Sequence, residues 1–108
     1  MPYFLIEGSY TSEAWAALTR KSEDREKSFK DFVERAGGKV KAFYFAFGES
    51  DVVGIIETPD AGSAAAIAVA VTSVGHLKHF RTTPLMTNQE AMDVMKKAGG
   101  LKYQAPKG

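Results

Sequence analysis

Apolar positions between residues 39 and 58, KVKAFYFAFGESDVVGIIET, fall into two runs around Gly48-Glu49-Ser50-Asp51, the pattern of a β-hairpin. A period of two predicts Phe43, Phe45 and Phe47 on one face of the first strand and Val40, Ala42, Tyr44 and Ala46 on the other. In the second strand Val53 and Ile55 oppose Val52 and Ile56 in the same way. Neither face is polar, so the sheet that holds this hairpin has to be covered on both sides.

Residues 2–9 read as a first strand, rich in aromatic and branched side chains, with Glu7 near its end. Ser12 is placed to cap a short helix that reaches Thr19 and carries Trp15 and Leu18. The polar residues 20–24 break the pattern. A second helix is expected over residues 23–36, because Phe29, Phe32, Val33 and Ala36 recur at helical spacing before Gly37-Gly38. Glu23 with Lys27, Glu26 with Lys30 and Asp31 with Arg35 are acid-then-base pairs four apart, which mark its solvent side.

After the hairpin, Asp60 is an N-cap and residues 61–74 form an alanine-rich helix with almost no polar side, suited to lie between the sheet and other structure. Gly75 ends it, and residues 76–85 read as the fourth strand, with Pro84 near its end. Thr87 and Glu90 have the spacing of a capping box. The helix they open has Ala91, Met92, Val94, Met95 and Ala98 for an apolar face and is closed by Gly99-Gly100. Residues 101–108 read as a mobile tail, with Leu101 and Tyr103 the side chains able to pin it.

This order of strands and helices is the split β-α-β pattern of an α+β, ferredoxin-like antiparallel sheet with helices on one face and an extra C-terminal helix. A second copy of the chain is the most economical cover for the other face, two sheets meeting to form a dimeric α/β barrel. Residues 1–100 are expected to make one domain, and at 108 residues the chain can bury only one core.

Fourteen basic against thirteen acidic side chains leave a net charge of +1, no field for drawing in nucleic acid or an anionic membrane, so neither is expected as a partner. The absence of cysteine rules out disulfides, thiolate metal sites and iron–sulfur clusters, and fits the reducing cytoplasm in which the protein is expected. The N-terminus has no basic region followed by a long apolar stretch, and no run is long enough to span a bilayer.

Candidate chemistry is sparse. Gly48 and Asp51 bracket the hairpin turn, where glycine suits a positive φ and a short carboxylate bonds backbone amides; Asp51 is also a candidate pocket carboxylate. His76 and His79, on one strand, would point to opposite faces with Cα atoms about 10 Å apart, so they share no metal and each is a candidate proton carrier. Tyr10, Trp15, Phe29 and Tyr44 are either core or the walls of a cavity for a flat organic ligand. Arg81 either pairs with Glu7 or clamps a substrate carboxylate. The Gly-Gly pairs end helices instead of opening them, so no phosphate loop is present; no cofactor and no metal are expected.

Residues 37–60, GGKVKAFYFAFGESDVVGIIETPD, together with the alanine-rich helix that follows and Arg81-Thr82-Thr83, resemble the GYD-domain family, small bacterial proteins of the dimeric α/β barrel group. The likeness runs over nearly the whole chain. The family's Gly-Tyr-Asp-like turn is Gly48-Glu49-Ser50-Asp51 here, with Ser50 where the tyrosine usually stands. The resemblance implies a dimeric ferredoxin-like fold and no established biochemical role. The first expectation is a homodimer, or a higher oligomer, that binds a small apolar or aromatic metabolite. Two alternatives stand beside it: a cofactor-independent oxygenase, cyclase or isomerase using His76, His79 or Asp51 as its base, and a structural assembly subunit.

Overall fold

The computed structural model describes residues 1–107 and contains β1 (Tyr3–Tyr10), α1 (Ser12–Arg20), α2 (Arg25–Arg35), β2 (Lys39–Phe45), β3 (Val52–Glu57), α3 (Ala61–Ser73), β4 (Leu77–Leu85) and α4 (Asn88–Gly99). The four strands form one antiparallel sheet in the order β2-β3-β1-β4, the ferredoxin-like arrangement expected. Phe4 lies opposite Ile56, Ile6 opposite Gly54 and Gly8 opposite Val52, and all six are buried beneath the helices. Phe4, Ile6 and Ile56 join Val33 of α2 and Ala64 and Ile67 of α3 in the main core.

Among the described residues no helix lies over the other sheet face. Tyr3, Leu5 and Glu7 of β1 lie beside Val53, Ile55 and Glu57 of β3, and Arg81, Thr83 and Leu85 of β4 flank them. Leu5, Val53 and Ile55 are only partly buried. Tyr3 stands directly opposite Glu57, and its hydrogen bond to that carboxylate pushes the phenol above its usual range.

The hairpin differs from simple alternation. A bulge between Val40 and Ala42 shifts the register, so Val40, opposite Ile56, shares the helix-covered face with Phe43, opposite Gly54. Ala42 and Tyr44 are left on the open face. A Cβ on Gly54 would come 2.7 Å from the Ala42 carbonyl oxygen, so the bulged strand can close on β3 only where a side chain is missing. β2 stops at Phe45, and Phe47, expected in the strand, is fully exposed in the loop. Positive φ occurs at Gly37 (86°) and Gly75 (84°), not at Gly48, because six loop residues span the turn and no tight reversal is needed.

Capping follows the sequence with small shifts. Thr11, not Ser12, caps α1 by accepting the Ala14 N–H at 3.1 Å, and Asp24 caps α2 by accepting the Lys27 N–H at 3.0 Å. With Asp24 as the cap, Glu23 lies outside the helix and pairs with Arg25 at 3.2 Å instead of with Lys27. Lys27 turns to Asp31 at 3.3 Å, which takes the carboxylate expected for Arg35, while Glu26 and Lys30 pair at 3.3 Å as expected. α3 buries Ala64 and Ile67 against the sheet but leaves Val69 exposed on its outer side.

Thr87 and Glu90 form the capping box at the start of α4, each accepting the other's backbone N–H, at 3.1 and 3.0 Å. The helix buries no residue, and Leu101 and Tyr103 beyond it are exposed, pinning nothing. The radius of gyration, 17.5 Å, exceeds the roughly 13 Å of a compact chain of this length because α4 stands away from the sheet. Among the described residues no helix is long and apolar enough to cross a membrane.

The unpacked α4 should be more acid-sensitive than α2. The Thr87 N–H holds the Glu90 carboxyl below its usual range. A carboxyl depressed in the folded state stabilises above its unfolded range and loses that contribution as pH falls through and below it. Protection of the α4 amides, taken relative to their intrinsic exchange rate at each pH, should therefore fall on acidification ahead of that in α2. Glu90→Gln should flatten this response, and equal acid response of the two helices would contradict it.

Candidate functional site

The helices do not fill the space above their sheet face. Between α1 and α2 on one side and α3 on the other lies a cavity of about 470 Å³. Its floor is Ile6 and Tyr10 of β1, Val52 of β3, Phe43 of β2 and Leu77 and Phe80 of β4. Leu18, Phe29 and Phe32 form one wall, and Ala70, Val71 and Val74 the other. Alanines at Ala14, Ala17 and Ala70 keep the helices from closing the gap, and Gly8 lets Val52, Leu77 and Phe80 meet over the strand: a Cβ there would lie 3.3 Å from both Val52 and Phe80. Polar residues contributing to the lining are Glu23, Arg25, Ser28 and His76.

Asp51 is placed by the end of β1. One carboxylate oxygen, Oδ2, accepts both the Tyr10 backbone N–H at 2.9 Å and the Trp15 indole N–H at 3.3 Å. The Asp51 N–H donates to the Gly8 carbonyl at 2.8 Å, and the Ala46 N–H donates to the Asp51 carbonyl at 2.8 Å. Ser9 adds a third tie, its hydroxyl donating to the Glu49 carbonyl at 2.8 Å. Asp51 is thus a latch that fastens the hairpin loop to β1 and α1. Trp15 stands behind the cavity wall, its ring edge-on to Tyr10 at 5.2 Å and 77°, and 6.5 Å from Phe45.

The residues singled out from the sequence separate accordingly. Tyr10, Phe29 and His76 line the cavity, and Trp15 supports Tyr10 from outside it. His76 lies in the loop between α3 and β4, where its carbonyl accepts the Thr11 N–H at 3.0 Å and fixes that loop against the start of α1. In the strand register His79 stands opposite Ser9 and Arg81 opposite Glu7, which puts both on the open sheet face, away from the cavity, and among the described residues no ion pair joins Arg81 to Glu7. Tyr44, opposite Val53, is on that same open face and 67% exposed. Sequence reading missed Leu18, Phe32, Phe43, Val71 and Phe80 as cavity walls. The signal for them was the small residues, Gly8, Ala17 and Ala70, that stand next to large ones and leave the space.

The fold and this cavity define an α+β protein of ferredoxin-like topology with a largely apolar recess on the helix side of its sheet. The chain belongs to the GYD domain family, whose model matches residues 4–95 of 108. No curated protein and no solved structure shows significant similarity to it.

Proposed function

We propose that the protein is a homodimer that binds a small apolar or aromatic metabolite in the cavity between sheet and helices. The observation that carries this reading is the cavity itself. Its 470 Å³ lies within the range of roughly 300–1,000 Å³ typical of small-molecule sites. Its walls are rings and aliphatic side chains that would sandwich a flat ligand, with a few polar groups to orient one end. The open sheet face, with Leu5, Val53 and Ile55 partly wet, supports the second copy.

Binding of an anilinonaphthalene dye, a flat apolar probe, tests the ligand reading. The dye should saturate at one per chain and quench or shift Trp15 emission, since Trp15 touches the Tyr10 wall. Ala70→Phe, filling the space from α3, should weaken binding about tenfold or more while leaving the fold intact. Dye binding unchanged by Ala70→Phe would place the dye elsewhere and count against the cavity as the site.

A second reading, a cofactor-independent oxygenase, cyclase or isomerase, is favoured by one observation: His76 is the imidazole on the cavity lining. Imidazole titrates near neutral pH and suits a single-base mechanism. Under this reading His76→Ala abolishes turnover while dye binding persists; under the binding reading no turnover exists to lose.

A further inference from the structure

We propose that α4 is an exchanged arm, packing on the second copy of the chain and closing the flank of the sheet-to-sheet contact; this rests on the homodimer proposed above. On a helical wheel Ala91, Met92, Val94, Met95 and Ala98 fall on one side of α4, and Gln89, Asp93, Lys96 and Lys97 fall on the other. The start is fixed by a complete capping box. Met92, Val94 and Met95 are nevertheless 43, 50 and 67% exposed, and among the described residues no element packs on α4 closely enough to bury any of its side chains. A 12-residue helix is marginal in water by itself, and helices of this length are ordinarily held by packing of their apolar side.

Area points to the second copy as the occupant. Four strands spaced about 4.8 Å apart and about 20 Å long give the open face on the order of 400 Å² per protomer. A stable specific interface buries about 800 Å² per partner, so the sheets alone supply about half. A helix of this length is about 18 Å long and about 10 Å across. If each protomer donates one arm and receives one, the contact reaches about the standard size. The connection is suited to the task. Leu85, opposite Tyr3, ends the edge strand on the open-face side, and only Met86 and Thr87 separate it from α4. Flexible methionines at two of the five apolar positions can fit a partner surface without a rigid match.

The test compares the full-length chain with its Met92→Asp/Met95→Asp variant by sedimentation equilibrium, alongside hydrogen exchange at several protein concentrations. The expected result is a dimer whose α4 amides grow more protected as dimer forms, and a variant whose dimer dissociation constant rises about tenfold or more. Exchange in β1 and β3 of the dilute variant should match that of the dilute native chain, showing an intact fold. A native dimer whose dissociation constant is unmoved by the double substitution would overturn the arm and leave the homodimer standing. Protection of α4 that is independent of concentration would also overturn it, because the helix would then rest on its own chain. A native chain that stays monomeric would remove both.

Discussion

An Ile55→Glu variant is expected to be a folded monomer at concentrations where the proposed homodimer of the native chain forms. Ile55 lies between Leu5 of β1 and Ala42 of β2, near the middle of the sheet face that carries no helix. In a lone protomer water reaches that position, and a glutamate there restores the polar-outside alternation of an ordinary half-covered sheet. Between two facing sheets the same carboxylate is buried without a partner, which costs several kcal/mol and is enough to split a micromolar dimer. Sedimentation velocity should show the loss of the dimer, with far-UV circular dichroism unchanged. An Ile55→Glu protein that still pairs with native affinity would show that this face is not where the copies meet. Phe45 is a poorer probe than its place in the sequence suggests, because the bulge in β2 puts it on the helix side, beside Trp15.

The second large effect is expected at Asp51. Asp51→Ala removes the acceptor of both the Tyr10 backbone N–H and the Trp15 indole N–H, and leaves two partly buried donors unpaired. Hydrogen bonds to a charged group are worth about 1.5–3 kcal/mol, so the urea midpoint should fall by an amount corresponding to about 2 kcal/mol. Trp15 emission should move to longer wavelength as the loop loosens and water reaches the indole. Asp51→Asn keeps one acceptor oxygen and should recover part of the loss. An Asp51→Ala protein with native midpoint and emission would mean that the latch contributes nothing.

These two positions also show what the sequence made legible. Element identity followed from periodicity: β1, α2, α3, β4 and α4 lie within a few residues of their expected bounds, and the capping box at Thr87 and Glu90 forms as its spacing requires. The ferredoxin-like class was also readable, since it follows from the order of strands and helices along the chain. A bulge is invisible to a count of two, so simple alternation puts Val40 on the wrong face and Phe47 in a strand it does not join. Gly48 reads as a positive-φ turn residue only for a four-residue turn, whereas six residues separate the strands. The cavity could not be read at all. A void is set by what neighbouring side chains fail to fill, and its lining comes from α1, α2, α3 and all four strands. Asp51 was legible as a loop carboxylate, but its partners, Tyr10 and Trp15, are 41 and 36 residues away in sequence.

The sheet is thus double-sided, with a ligand-sized recess beneath the helices and, on the other side, an open face whose apolar centre of Leu5, Val53 and Ile55 is edged by Glu7, Glu57 and Arg81. Native mass spectrometry of protein purified without denaturation addresses both sides at once. The expected spectrum holds two 11.7 kDa chains together, carrying a small co-purified molecule that Ala70→Phe excludes and Ile55→Glu does not. A single bare chain at micromolar concentration would contradict the pairing on which the open face depends.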